Sequence, residues 1–346
     1  MIKYLGSKRT LVPVLGKLAQ ASGAETSVDL FTGTTRVARA LKELGQTVTA
    51  TDLASYSHVF AKTWIELNAN SVPQQELTDA LAHLNAVPGE AGYFTQAFCV
   101  DARYLQPKNG ERVDAIRELI EHDYAGTWLY YPLLTSLILA ADRVDSTTGL
   151  QMAFLKNWSA RSHKPLALTD PALITGNGTA LQGDALELAR QLPAVDLAYL
   201  DPPYNQHRYF ANYHVWESLV RWDKPATYGI ANKRIDVRDD NTKSAFNSRK
   251  TMADSLAQVV ADLQCETLIL SYNNESWLSR AELAAICEPK GRVEILDFDF
   301  KRYVGAQIGV YNRSGEKVGE PGQARNIEHV VVAGPTQKVK RMLAAL

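Results

Sequence analysis

Between residues 26 and 52 the chain runs strand, glycine turn, helix, strand and acid, and this unit constrains the fold more than any other feature. Ser27-Val28-Asp29-Leu30-Phe31 is a short β-type run that stops at Thr32-Gly33-Thr34-Thr35. Val37, Ala38, Leu41 and Leu44 then recur on one helical face, and Gly45 marks the stop. Thr47-Val48-Thr49-Ala50-Thr51 reads as the next strand and ends at Asp52. A β-turn-α-β unit of this kind predicts a doubly wound α/β protein with a mainly parallel sheet.

The rest of the chain fits around that unit. Ahead of it, Leu11, Val14, Leu15 and Leu18 give Lys8–Ala21 a helical period. From about 54 to 160 the pattern is mostly helical, punctuated by Pro73, Pro88-Gly89, Pro107 to Gly110 and Gly126, and a strand is expected only at Pro165–Leu168. The α/β alternation resumes with a strand at Thr179–Asp184, a helix over 185–192 and a strand at Val195–Leu200. A helix over 251–264, a strand at Thr267–Ser271 and strands near 293–300 and 328–332 follow, with a hairpin or loop at 305–322. At about 150 residues per domain, 346 residues make roughly two domains. The expected organisation is an α/β domain from 1–69 and 176–346, with a helical insertion over 70–175.

Composition narrows the class without naming a partner. Apolar residues make up 46% and charged residues 22%, which excludes wholesale disorder and collagen-like repeats. The longest apolar run, Tyr130–Ala141, is interrupted and shorter than the roughly 18 residues a membrane span needs. The N-terminal segment is basic but has no apolar core or cleavage site, so no signal peptide and a cytoplasmic location are expected. Cys99, Cys265 and Cys287 form no C-x-x-C pair and the seven histidines show no ligand spacing, so neither disulfides nor a metal site are expected. A net charge of −1 leaves nucleic acid open, because a local patch can do the electrostatic work.

Two turns carry chemistry. The first is the Gly33 turn with Asp52, 23 residues after Asp29, where a carboxylate can accept both hydroxyls of a ribose. The dinucleotide fingerprint is absent, since Thr35 and Ala38 stand where its second and third glycines belong. A phosphate-free adenosine ligand such as S-adenosylmethionine suits this turn better than a pyrophosphate; an ordinary strand-to-helix turn would look the same. The second is Asp201-Pro202-Pro203-Tyr204, directly after the apolar strand and so at the carboxyl edge of the sheet, where open α/β folds bind ligands. Two prolines fix φ and remove two donors, leaving a stiff turn with outward carbonyls. The Asp201 carboxylate and one such carbonyl can hold a single NH2 group, and Tyr204 offers a face to a planar base.

With these residues in view, the chain resembles the S-adenosylmethionine-dependent DNA adenine-N6 methyltransferases, the Dam-like methylases of restriction-modification systems. The likeness runs from Lys3-Tyr4-Leu5-Gly6-Ser7-Lys8 through Asp29–Thr35, Asp52 and Asp201–Tyr204, and takes in Asn212-Tyr213-His214 and Lys301-Arg302-Tyr303-Val304-Gly305. It departs from the family pattern at Tyr4, where Trp is common, and at Ser7 and Thr35, where Gly is frequent. The resemblance implies a Rossmann-like methyltransferase sheet, with the helical insertion as target-recognition region. It implies that Tyr4, Gly6 and Lys8 border the methionine end of the cofactor, with Lys8 on its carboxylate. Asp29, Phe31 and Gly33 would form the turn beneath it, Asp52 would hold the ribose and Asp184 the cofactor adenine amine. Asp201 and the Pro202 carbonyl would bind the target N6 amine, with Pro203 stiffening the turn and Tyr204 stacking on the flipped base. The expected activity is site-specific methylation of adenine in double-stranded DNA, with a cognate endonuclease as an expected partner and the oligomeric state open.

Residues 201–250 hold nine Lys or Arg against six Asp or Glu, interleaved with aromatics, and Lys156–Lys164 forms a second basic patch around Trp158. Arg208, Tyr213, Lys233, Arg234, Arg161 and Lys164 are the expected DNA contacts; a solvated loop and a packed helix would account for the same residues. An N4-cytosine or RNA methyltransferase uses the same fold, although Asp rather than Ser or Asn before Pro-Pro favours adenine. A protein-glutamine methyltransferase would favour Asn at 201. A catalytically idle nucleic-acid-binding module has no need for Gly33, Asp52, Asp201 and Tyr204 together.

Overall fold

A computed structural model describes residues 2–155, 157–204, 208–301, 310–311, 317–319 and 325–346. Seven strands belong to one mostly parallel sheet: β1 (Thr26–Asp29), β2 (Thr47–Asp52), β3 (Gly178–Gln182), β4 (Val195–Leu200), β5 (Cys265–Asn273), β6 (Arg292–Lys301) and β7 (Arg325–Gly334). The principal helices are α1 (Val12–Ser22), α2 (Arg36–Glu43), α3 (Ser55–Ala61), α4 (Gln74–Ala86), α5 (Pro107–Tyr124), α6 (Tyr130–Val144), α7 (Ala185–Gln191), α8 (His214–Arg221), α9 (Met252–Asp262), α10 (Arg280–Cys287) and α11 (Thr336–Leu343). The α/β class expected from the sequence is the one observed, and the elements of the first β-turn-α-β unit fall where the periodicity places them.

The chain divides into two compact units: Met1–Gly16, Glu25–Ala185 and His207–Ser244, and Lys17–Ala24, Leu186–Gln206 and Ala245–Leu346. In the first unit the strand order is β3-β2-β1, all parallel. In the second it is β4-β5-β7-β6, with β4 and β5 parallel and β7 antiparallel to both its neighbours. Val28, Val48 and Ala50 are fully buried in the first, Leu197, Ala198, Leu268, Leu270 and Val330–Val332 in the second. Strands β4 and β5 of the second unit, covered on both faces, read as apolar runs, whereas β1 and β2 interleave Ser and Thr with their apolar residues.

This division does not follow the expected boundaries at 69/70 and 175/176. The helical stretch lies in the same compact unit as the first β-turn-α-β elements, and its hydrogen bonds show why. Within α6, Leu133, Leu134, Leu137, Ile138, Ala140 and Ala141 are buried, so the interrupted apolar run is a central helix. Thr63 and Thr135 share a 2.8 Å hydroxyl contact that ties α6 to the π-helical turn Lys62–Glu66 following α3. On the other side, Arg117 of α5 donates to the carbonyls of Leu219 (2.8 Å) and Val220 (3.0 Å). The Tyr104 hydroxyl donates to the carbonyls of Gln151 (2.7 Å) and Ala231 (2.8 Å).

The expected strand at Pro165–Leu168 does not form. The backbone there pairs with side chains instead: Asn109 Oδ1 accepts from Leu166 N and Asn85 Oδ1 from Leu168 N, both at 2.9 Å. The two amide groups return bonds at 3.0 Å to the carbonyls of Lys164 and Leu168. Two asparagines thus do the work of a neighbouring strand, which apolar patterning does not reveal. Within 305–322 the described pieces Val310–Tyr311 and Lys317–Gly319 pair antiparallel, as a hairpin would. Among the described residues no helix is long and apolar enough to cross a membrane, and no group of His, Cys, Asp or Glu is arranged to hold a metal ion.

Candidate active site

In the first unit the Gly33 turn is held by two carboxylates. Asp29, at the end of β1 and buried, accepts from the Thr32 hydroxyl and from the Ala38 amide of α2, each at 3.1 Å. Asp52, at the end of β2, accepts from Gly33 N at 2.8 Å through one oxygen and from Ala54 N at 2.9 Å through the other. Burial raises the Asp52 pKa, while the amides of Ala54 and Gly33 pull the other way. Gly33 has φ +50°, which favours glycine, and a Cβ there would lie 3.2 Å from the Tyr4 ring, a tight approach that would press on it. Thr35, in the position where glycine is frequent, sits at φ +60° and is fully buried. A β-branched residue in the left-handed region is strained.

Tyr4 joins that turn to the helices near residue 210. Its ring stacks on Tyr213 at 4.8 Å and 15° and on Tyr209 at 5.3 Å and 27°. Its hydroxyl meets that of Tyr56 at 3.5 Å. The Tyr213 hydroxyl accepts from Leu5 N at 2.7 Å, and the Tyr209 hydroxyl donates to the Leu5 carbonyl at 3.3 Å. Burial pushes the phenols of Tyr4 and Tyr56 well above their ordinary range. Gly6 has φ +74°, and Lys8 is buried at the start of the short 3-10 turn Lys8–Thr10. Phe31 is half-buried beside Thr32, and Asp184 is half-buried between β3 and α7.

In the second unit β4 ends at Leu200, in register with Leu270 of β5, and Tyr199 donates to the Ser271 hydroxyl at 3.0 Å. The Asp201–Tyr204 turn follows directly. Asp201, Pro203 and Tyr204 are half-buried and Pro202 is buried. The Tyr204 ring makes an edge contact with Tyr272 at 5.6 Å and 64°. Lys156 and Arg302–Gly305, both singled out from the sequence, lie outside the described residues.

The expected DNA contacts separate. Arg234 is a correction: it is fully buried, takes Asp223 in a two-pronged pair at 2.7 and 2.6 Å, and holds Asp236 at 2.7 Å. Burial opposes its charge, but the two carboxylates outweigh burial and hold its pKa above the ordinary value. It cannot offer itself to a phosphate. Tyr213 is a second correction, since it is buried under Tyr4 with its hydroxyl on Leu5. Arg161 is half-exposed but held by Asp145 and by the carbonyl of Thr147 at 2.6 Å. Lys164 is exposed, and Arg208 and Lys233 are half-exposed.

Sequence patterning missed Glu217. It lies four residues before Arg221 on α8, a spacing that reads as an exposed helical ion pair. The structure buries it instead and turns its carboxylate to the start of α3, where one oxygen accepts from Ser55 N at 2.6 Å and Tyr56 N at 3.4 Å. Its apolar neighbours Val215, Trp216 and Leu219 were the available signal.

Comparison with known proteins fits this geometry. The model of the D12 class N6 adenine-specific DNA methyltransferase family matches residues 4–286, a span that includes both turns. The chain is 32% identical over 328 residues to modification methylase StsI of Streptococcus sanguinis, covering 89% of this chain and 50% of that protein. It is 31% identical over 318 residues to type II methyltransferase M.NlaIII of Neisseria lactamica (87% of this chain, 92% of that one). To type II methyltransferase M.CviAII of Paramecium bursaria Chlorella virus 1 it is 27% identical over 334 residues (91% and 96%). The chain thus spans about half the length of StsI and nearly all of M.NlaIII and M.CviAII. It belongs to the D12 class of N6 adenine-specific DNA methyltransferases.

Proposed function

We propose that this chain methylates N6 of an adenine at a specific site in double-stranded DNA, using S-adenosylmethionine, as the modification half of a restriction-modification system. The observation that carries the proposal is the Asp201-Pro202-Pro203-Tyr204 turn at the carboxyl end of β4. The relatives named as modification methylases support the pairing with an endonuclease. The helical stretch 70–175 would supply target recognition, and a cytoplasmic location suits a DNA substrate.

The residues of the first unit fit the cofactor. The amides of Gly33 and Ala54, one on each oxygen, fix the orientation of the Asp52 carboxylate, the Leu53 amide and the Ser57 hydroxyl also act on it, and its remaining acceptor capacity would go to the vicinal hydroxyls of a ribose. Tyr4, Gly6 and Lys8 would border the methionine end, with Lys8 near its carboxylate; Asp29, Phe31 and Gly33 would shape the turn and Asp184 would accept from the adenine amine. When bound, S-adenosylmethionine supplies an electrophilic methyl on a sulfonium.

The chain's own contribution to the reaction is to prepare the amine. A base in a duplex must leave the stack to be reached, at a cost of a few kcal/mol. Tyr204 would stack on the extruded adenine. Asp201 and the Pro202 carbonyl would accept from its NH2 group and draw it toward tetrahedral geometry, which frees the nitrogen lone pair from the ring. Proline fixes the acceptors beforehand, so positioning and electrostatics carry the rate. Arg208, Lys233 and Lys164 would contact phosphates, which sets register without reading sequence.

The test is transfer of labelled methyl from S-adenosylmethionine to mixed-sequence duplex DNA, followed by nucleoside analysis. Label in N6-methyladenine is expected, and mapping the modified sites then gives the recognition sequence. Label on cytosine, or transfer to RNA alone, would overturn the adenine assignment.

A further inference from the structure

Glu217 has no part in the chemistry above, yet its surroundings are unusual for a carboxylate. It is 1% exposed, and its Oε2 is buried without a hydrogen-bond partner. Its Oε1 sits on the amides of Ser55 and Tyr56 at 2.6 and 3.4 Å. Those residues follow directly on Asp52-Leu53-Ala54. The segment from 52 to 56 is therefore clamped by two acids: Asp52 closes it onto Ala54 and the Gly33 turn, and Glu217 reaches it from α8, a helix far along the chain. The same helix opens next to Tyr213, which stacks on Tyr4 and holds Leu5.

We propose that Glu217 is a positioning residue for cofactor binding, its carboxylate fixing the Ser55 and Tyr56 amides so that Asp52 is presented to the cofactor ribose. The inference rests on the reading of Asp52 as the ribose acceptor. A hydrogen bond from an amide to a carboxylate is stronger than one to a neutral amide oxygen, so the clamp depends on the Glu217 charge. Burial pushes the Glu217 carboxyl up to about 7, against the pull of Ser55, Tyr56 and Arg221. The clamp therefore loosens as pH falls through neutrality.

The groups around it give the same direction. Tyr56 faces it from α3, its phenol raised by burial, by Asp52 and by Glu217. Arg221 lies one turn on. Elsewhere on elements against α8, Arg234 is paired with Asp223 and Asp236, and Arg117 with Glu121. Asp142 of α6 is paired with Lys3, and His214 holds the Gln151 carbonyl at 2.9 Å. Of these, Asp142 is raised to about 6 by burial, and His214 is lowered to about 3. On α3 itself, burial and Lys62 lower His58 from its ordinary value.

The test compares wild type, Glu217→Gln and Asp52→Asn by calorimetric titration with S-adenosylhomocysteine between pH 6 and 8, with thermal melting of each protein in the absence of ligand. Glutamine keeps the shape and one acceptor oxygen. At pH 8 the Glu217→Gln dissociation constant is expected to rise about tenfold, the scale of a weakened charged hydrogen bond. The ratio of variant to wild type should shrink toward one at pH 6, where wild-type Glu217 is largely protonated.

Melting should move the other way. A carboxyl raised on folding destabilises the folded chain at pH 8 and ceases to do so as pH falls toward the ordinary carboxyl range. Glu217→Gln should therefore melt no lower than wild type at pH 8. A variant that binds like wild type at pH 8, or whose ratio to wild type is flat with pH, overturns the proposal. If it does so while Asp52→Asn binds weakly, only the Glu217 inference fails; if Asp52→Asn also binds normally, the reading of Asp52 fails with it. Poor folding of Glu217→Gln would equally contradict it, by showing a purely structural role.

Discussion

The two turns that carry the chemistry are stiffened by opposite means. Asp201–Tyr204 is rigid through its own covalent structure, because two consecutive prolines fix the backbone whatever surrounds it. The Gly33–Asp52 region is rigid only through what reaches it: Asp29 and Asp52 on backbone amides, Tyr4 stacked against Tyr209 and Tyr213, and Glu217 on the start of α3. The first device is written in four adjacent residues. The second is assembled from segments up to 208 positions apart. A change at Asp201 should therefore act locally on the reaction, and a change around Asp52 should spread into binding and stability.

The sharpest break in that contrast is Asp201→Ala. Losing a fixed acceptor for the reacting amine should lower single-turnover methyl transfer by about 10³-fold with the melting temperature nearly unchanged. A loss under tenfold would mean that the turn does not prepare the amine. Next in size is Arg234→Ala, which strips a buried guanidinium from Asp223 and Asp236. It should cost about 3–5 kcal/mol in denaturant unfolding, and a near-neutral result with a reduced salt slope of DNA binding would restore Arg234 as a phosphate contact.

Asp52→Asn should weaken S-adenosylhomocysteine binding roughly 10- to 100-fold in calorimetry. Lys164→Ala and Lys233→Ala should each lower the salt slope of DNA binding by about one unit while leaving cofactor affinity unchanged. The smallest effect is at Thr35, where the variants Thr35→Gly and Thr35→Ala both remove the side chain but only glycine suits φ +60°. The glycine variant should be the more stable by about 1 kcal/mol. Equal stabilities would remove the strain argument.

What was legible in the sequence follows from the same contrast. The β-turn-α-β unit, the strand before Asp201 and the proline turn are local patterns, so period and turn chemistry disclosed them. The family resemblance added the expected roles of Tyr4, Lys8 and Asp184. Tertiary decisions stayed hidden. Asn85 and Asn109 replace a strand partner for 165–168, Arg117 and Tyr104 tie the helical stretch into the first unit, and Arg234 finds acids at 223 and 236. A count of charges treats each cation as free, which is why Arg234 read as a DNA contact. Glu217 was masked by its spacing to Arg221, since helical periodicity cannot say which face a later contact will cover.

The measurement that bears most directly on the division of labour is titration of S-adenosylhomocysteine into folded Asp201→Ala, beside wild type and Asp52→Asn. Wild-type affinity is expected for Asp201→Ala, whose methyl transfer is crippled, and weakened affinity for Asp52→Asn. Lost affinity in Asp201→Ala with its melting temperature intact would contradict this division, because the proline turn would then hold the cofactor rather than the target amine.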